Sequence, residues 1–372
     1  MPESPSRNGP VRKLPDQFGA ELPAVVRLTL QRVAVGDDVR ASDFGDALAA
    51  SVDVPTPARD VVLGSLMTAA MTCGDLAENV IALIESGLGL DRRAPSSTVS
   101  GTDRPVILLA GSGKKGERTL NVSTPAALVA AAAGARVIKV GSAATSSALG
   151  SRDLVRRLGI TECTGAKEVQ VSLAQGGFAF VAVEPAIPSV DSLYGGRFHT
   201  VNPFSFGLAP LASPVRGDLV LFGLAHPRVD VAARVLAHFG VPNASVIATR
   251  TPAGNYLDEI AASGEFRRCG VESGRVTALE RQSVEELIGE KFPHDLPAPA
   301  NSQDSVERTC ELLGGGGLDS HRRLVSINAG YLLVLSGLTN SVREGMRMAE
   351  EVLRSGAALD VIGPAGVESG AA

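Results

Sequence analysis

Between residues 105 and 140 the chain alternates in a way that few folds accommodate. Pro105-Val-Ile-Leu-Leu-Ala110 is a short unbroken apolar run, the pattern of a strand covered on both faces. It ends in a glycine cluster, Gly111-Ser-Gly-Lys-Lys-Gly116, after which Thr124-Pro125 caps a helix running to Ala133 and Gly134 ends it. Arg136 to Val140 reads as the next strand. Strand, glycine loop, helix and strand form a βαβ unit, which implies a parallel sheet. Phe178 to Val183, Asp218 to Leu224 and Ser245 to Thr249 read as further strands, with helices Asp153 to Leu158, Lys167 to Leu173 and Val229 to Phe239 between them.

Upstream only helix signals are found. Leu22 to Val33 is amphipathic, Ser42 opens a second helix, and Thr56-Pro57 gives an N-cap followed by proline ahead of the apolar run Val61 to Met71. Asp75, with Glu78 three residues later, starts a fourth helix that Gly87 stops. Ser305 to Gly356 is mainly helical again, with a capping box at Ser341 and Glu344. The fold class expected is therefore α/β, with a small all-helical N-terminal domain and a large α/β domain with a mainly parallel sheet. The boundaries are a disordered leader over 1–21, the helical domain over 22–95 with later helices of the chain packing on it, and the α/β domain over 100–362. At roughly 150 residues per domain, the 372 residues suit this division.

The 35 Lys and Arg against 40 Asp and Glu give a net charge of −5 spread along the chain, so the basic footprint of a nucleic-acid binder is missing. Cys73, Cys163, Cys269 and Cys310 are too far apart for a zinc knuckle or a redox CxxC and read as reduced thiols of a cytoplasmic protein. The longest apolar stretch, Ala126 to Ala133, falls far short of the roughly 18 residues of a membrane span. No membrane or nucleic-acid partner is expected.

In a parallel sheet, ligands bind beyond the carboxyl ends of the strands. Gly111, Gly113 and Gly116 leave backbone N–H groups unobstructed, and the following helix offers more at its positive end, which suits phosphate. The spacing fits neither a Rossmann GxGxxG nor a P-loop, and a glycine turn can be only a turn. Asn121-Val-Ser-Thr124 adds hydroxyl and amide groups just before the helix, although Thr124 could simply be its cap. Lys139 ends an otherwise apolar strand beside Gly141-Ser-Ala-Ala-Thr-Ser-Ser147, as a phosphate contact or a solvated strand end. The adjacent carboxylates of Asp258 and Glu259 suit a hard cation, Mg²⁺, next to a phosphorylated substrate, or are two solvated acids at a helix start. The five histidines show no spacing for a metal or a triad, and no GxSxG elbow is present.

Together these strings resemble the anthranilate phosphoribosyltransferase family. Gly111-Ser-Gly-Lys-Lys-Gly-Glu-Arg-Thr-Leu-Asn-Val-Ser-Thr124 is similar to its GTGGDGxxTFNIST, Lys139-Val-Gly-Ser-Ala-Ala-Thr-Ser-Ser147 to KHGNRAxSS, Asn202 to Pro214 to FNxLGPLxNPA, and Leu257-Asp-Glu-Ile260 to LDEIS. The resemblance covers roughly residues 22–361. It implies a donor, 5-phosphoribosyl-1-pyrophosphate (PRPP), held by Gly111, Gly113, Asn121, Ser123, Thr124, Lys139, Ser146 and Ser147, with Mg²⁺ held by Asp258 and Glu259, and a homodimer paired through the helical domains.

Several positions depart from the family pattern. Lys115, beside Lys114, replaces the acid of GTGGD, and Ala143 replaces the arginine of KHGNR; the two lysines could meet pyrophosphate instead. Glu184-Pro185 stands where two histidines precede a proline, and Val190 to Gly196 holds no arginine for the anthranilate carboxylate. A carboxylate buried without a partner is costly. The reading favoured by sequence is glycosyl transfer from PRPP or a related phosphosugar to a non-anthranilate acceptor near Glu184 and Tyr194. The alternatives are a noncatalytic phosphosugar-binding homologue and anthranilate phosphoribosyltransferase of tryptophan biosynthesis.

Overall fold

A computed structural model describes residues 22–91, 96–101, 103–113, 120–144, 149–195, 198–292 and 296–362. The expected leader over 1–21, together with Lys114, Lys115, Ser146 and Ser147, lies outside the described residues.

The helical start comprises α1 (Ala24–Val35), α2 (Ala41–Ala50), α3 (Ala58–Thr72) and α4 (Leu76–Gly89). Asp75 caps α4 as its sequence suggests, its carboxylate accepting the amides of Ala77 at 2.8 Å and Glu78 at 3.2 Å. Two expectations fail. Gly87 does not stop α4, which runs two residues further; the glycine is packed against Phe204, whose ring would lie 3.1 Å from an added Cβ. Thr56 is not a cap either, because the cap position falls on Pro57 and the Thr56 hydroxyl receives Arg59 instead.

After β1 (Ser97–Thr98) come β2 (Val106–Gly111), α5 (Ser123–Ala132) and β3 (Arg136–Gly141), the βαβ unit read from sequence. The chain continues through α6 (Ser151–Arg157), α7 (Ala166–Gly176), β4 (Phe178–Ala182), α8 (Pro188–Tyr194), α9 (Leu208–Ala212), β5 (Val215–Arg216), β6 (Leu219–Gly223), α10 (Val229–His238) and β7 (Ala244–Arg250). It then forms β8 (Tyr256–Leu257), β9 (Glu265–Glu272), β10 (Arg275–Val276), β11 (Glu280–Ser283), α11 (Val284–Ile288), α12 (Ser302–Leu313), α13 (Asp319–Leu335) and α14 (Val342–Ser355).

The main sheet runs β10-β9-β7-β6-β2-β3-β4, parallel from β7 to β4. Its antiparallel margin, β8 to β11, was not read from sequence, because β9 interleaves charged Arg267 and Arg268 with apolar residues instead of forming an apolar run. Alternation on β2 fills both faces. Val106, Leu108 and Ala110 join the core beneath α4 and α10, while Ile107 and Leu109 join the core beneath α5, α13 and α14. The helices α13 and α14 thus cover the face away from the helical start, while the later helix α10 packs on α4.

Capping departs from the sequence reading at two more places. Val122 holds the N-cap position of α5, with Thr124 the second residue of the helix, buried, its amide directed to Asn121 Oδ1 at 3.4 Å. At α14 the Ser341 hydroxyl accepts the Glu344 amide, but the Glu344 carboxylate takes the amide of Asn340, so only half the box forms.

Where α13 crosses α14 the backbones nearly touch: a Cβ on Gly330 would stand 2.7 Å from the Met346 nitrogen. Gly330→Ala is expected to force the pair apart and cost about 1–3 kcal/mol, seen as a lower urea midpoint with an unchanged slope.

Candidate active site

The strand order reverses at β2, which lies between β3 and β6, and ligand crevices open at such a switch point. A cavity of about 1030 Å³ occupies that place, walled by the ends of β2 and β3, the start of α5, one side of α8 and the segment 299–305.

The glycine turn and the downstream acid meet here. Gly113 has φ +67° with nothing in the way of a Cβ, and its amide donates to Asp258 Oδ2 at 2.8 Å, across 145 residues of chain. That approach requires bare backbone on two strands. A Cβ on Gly111 would lie 2.7 Å from the same oxygen, and one on Gly223 would lie 1.8 Å from the Asp258 carbonyl oxygen. Ser112 ties the turns together, its amide donating to the Gly223 carbonyl at 2.9 Å and its hydroxyl accepting the Ala225 amide at 3.0 Å. Ser112 was not among the residues expected at the site, although its place between two glycines marked it.

Gly111, Gly113, Asn121, Ser123 and Lys139 are wall residues, and so is Asp258. Lys139 is buried, and its ammonium donates to the Val140 carbonyl at 2.9 Å. Thr124 and Glu259 are buried and are not in the wall. The Thr124 hydroxyl has no hydrogen-bond partner among the described residues. Asp258 alone of the two acids therefore faces the cavity.

On the opposite side, Glu184 takes the Ala143 amide at 2.6 Å and lies 3.4 Å from the Arg152 guanidinium. Arg152 is held by Glu162 through two bonds of 2.9 and 2.8 Å. The Arg152 bond holds the Glu162 carboxyl below its usual range, and the same bond raises the guanidinium further. Glu184 thus ties Ala143, two residues beyond β3, to Arg152. Tyr194 accepts Asn202 Nδ2 at 3.2 Å and stacks on Phe198 at 5.5 Å, with Phe204 edge-on at 5.1 Å. Burial pushes its phenol up, so at neutral pH it stays protonated.

The helix that carries Tyr194 also brings Asp191 into the wall, a residue the sequence reading missed. Asp91 of the helical domain caps that helix, accepting the Ser189 amide at 3.0 Å. No histidine or cysteine is among the described wall residues. His226, pushed down to about 4 chiefly by burial, lies outside it against Phe206. Asp258 contributes a carboxylate that could share a hard cation with ligand phosphates, the donor set that Mg²⁺ prefers.

The profile of the glycosyl transferase family, a/b domain, matches residues 104–359. Anthranilate phosphoribosyltransferase of Laribacter hongkongensis is 32% identical over 262 residues, covering 70% of this chain and 75% of that one. In fold the chain is similar to anthranilate phosphoribosyltransferase from Thermus thermophilus, with a TM-score of 0.68 at 24% identity over 92% of this chain and 99% of that one. It is likewise similar to the Saccharomyces cerevisiae enzyme in complex with PRPP and Mg, with a TM-score of 0.69 at 20% identity over 94% and 98%.

A carboxylate on the Gly113 amide competes with any anion for that donor. Asp258→Ala is expected to strengthen pyrophosphate binding in EDTA by about threefold to tenfold, the worth of one net hydrogen bond, and to remove the strengthening brought by Mg²⁺. Isothermal titration calorimetry checks both.

Proposed function

The chain belongs to the anthranilate phosphoribosyltransferase family of pentosyltransferases, and from that premise we propose that it transfers the phosphoribosyl group of PRPP to anthranilate with the help of Mg²⁺. The observation that carries the donor half is the meeting of Asp258 with the Gly113 turn in one cavity. The acceptor half follows the relatives, whose names favour anthranilate over the non-anthranilate acceptor read from sequence.

In this reading the pyrophosphate and ribose phosphate lie along the turn at Gly111 and Gly113 and at the head of α5, where Asn121 and Ser123 add side-chain donors. The buried Lys139 answers their charge from β3. Asp258 would hold Mg²⁺, without Glu259, which is buried outside the wall, and the ion would supply charge neutralisation to the departing pyrophosphate. The bond from ribose C1 to the pyrophosphate oxygen breaks, the bond from the acceptor nitrogen to C1 forms, and the nitrogen gives up a proton to solvent. Positioning and electrostatics carry such a step, in keeping with a described wall that has no histidine.

One observation favours a second reading, transfer to an acceptor without a carboxylate. Asp191 and Glu184 both stand in the wall near Tyr194, and the charge of Arg152 is shared with Glu162. An acceptor carboxylate would meet like charge there. Pyrophosphate release with PRPP and Mg²⁺ separates the readings. Anthranilate is expected to support turnover and the gene to rescue a tryptophan auxotroph, whereas release with anthranilamide alone selects the second reading. Calorimetric binding of PRPP with no release from either would mean a noncatalytic phosphosugar-binding homologue.

We also propose a cytoplasmic homodimer paired through the helical domain, where Leu28, Val35 and Val61 are 49%, 73% and 69% exposed. Apolar side chains so exposed on neighbouring helices suit a partner surface. Sedimentation equilibrium is expected to give twice the chain mass, and Leu28→Glu with Val61→Glu to give the single mass.

A further inference from the structure

Two buried residues outside the cavity wall fix the chain that follows Asp258. Thr249, near the end of β7, donates its hydroxyl to the Glu259 carbonyl at 2.7 Å and accepts the Ala261 amide at 3.2 Å. Asn328, midway along α13, brackets the residue between. Its Oδ1 accepts the Ile260 amide at 3.0 Å, and its Nδ2 donates to the Ile260 carbonyl at 2.9 Å and to the Leu324 carbonyl at 2.9 Å. Three successive residues, Glu259, Ile260 and Ala261, are thus held from a strand on one side and a helix on the other.

Buried backbone groups need partners whatever the function, and these bonds satisfy that need. Their placement does more. Of the whole stretch from Thr249 to Ala261, Asp258 alone reaches the cavity wall, and its carbonyl is pressed against Gly223, where even a methyl group would not fit. With the residues on its far side pinned by Thr249 and Asn328, the carboxylate is left facing the Gly113 amide. A charged group that must meet a ligand to within a fraction of an ångström depends on such support.

We infer that Thr249 and Asn328 are positioning residues for Asp258, setting its carboxylate for the cation that accompanies a phosphosugar; this rests on the proposed PRPP and Mg²⁺ reading. They touch no ligand and act only through the segment they hold.

The test titrates pyrophosphate into the full chain by calorimetry, in Mg²⁺ and in EDTA, for the wild type, Asn328→Ala, Thr249→Val and Thr249→Ser, with thermal melting of each. The gain in pyrophosphate affinity brought by Mg²⁺ is expected to shrink about tenfold or more in Asn328→Ala and Thr249→Val, the usual scale for losing a group that orients a metal ligand. Thr249→Ser, which keeps the hydroxyl, is expected to retain it. A lower melting temperature with the Mg²⁺ gain intact in both disruptive variants means a merely structural role and overturns the inference alone. Should Asn328→Ala fail to fold, the Thr249 pair decides by the same criterion. A wild type without any Mg²⁺ gain overturns the reading of the cavity and the inference together.

Discussion

One hydrogen bond, from the Gly113 amide to the Asp258 carboxylate, joins the two stretches of chain on which the cavity depends. It exists because the backbone is bare in two places. Gly111 leaves room for the carboxylate, and Gly223 for the carbonyl of the same residue. Ser112 then locks the turn after β2 to the turn after β6. A side chain at either glycine would displace Asp258, and with it the register between the glycine turn and the segment that crosses behind it. The sheet order supplies the setting, since β2 and β6 are neighbours although the whole β3 to β5 excursion separates them in sequence.

What could be read in advance follows from how local each signal is. The parallel strands were legible because burial on both faces writes itself as a continuous apolar run, as in Val106 to Ala110. The β9 to β11 margin was not, because an edge sheet with one wet face mixes Arg267, Arg268 and Glu280 into its strands. Caps were half legible. Asp75 caps α4 because its carboxylate reaches amides two and three residues on, whereas the helix start slipped by one residue at Thr56 and by two at Thr124 and changed which group was orphaned. Glycine-rich and acidic strings announced the meeting of Gly113 with Asp258. Thr249, Asn328 and Asp191 carried no local mark at all, because their roles arise only once β7, α13 and α8 are packed.

The wall that holds Glu184 and Tyr194 differs in kind. Ala143 stands where the resembled motif has arginine, and the backbone there is answered by Glu184, which takes the Ala143 amide in place of any side chain. Arg152 draws Glu184 and Glu162 into one half-buried network. That network holds the loop after β3 by charge-assisted bonds, which are worth roughly twice a neutral one. It also divides the charge of Arg152 between two carboxylates. The helical domain contributes to the same wall, Asp91 capping α8 and Gly87 admitting the Phe204 ring. The wall around Tyr194 is therefore set in part by the N-terminal helices, while the meeting of Gly113 with Asp258 is set at the ends of the sheet.

On the proposed reading, donor and cation would be linked through a single proton donor, the Gly113 amide. While Asp258 occupies the Gly113 amide, an incoming phosphate must displace a carboxylate and bear its repulsion. A cation bound at that carboxylate would reverse the sign of the local charge and relieve the competition. Each ligand then improves the site for the other by the same factor, since coupling between two binding equilibria is reciprocal. The exchange turns on a carboxylate whose position is fixed well enough that losing its hydrogen bond to one partner is repaid by the other. Rigid support from β7 and α13 makes that exchange local, so the cost of opening the turn falls on one amide and one carboxylate and not on the fold.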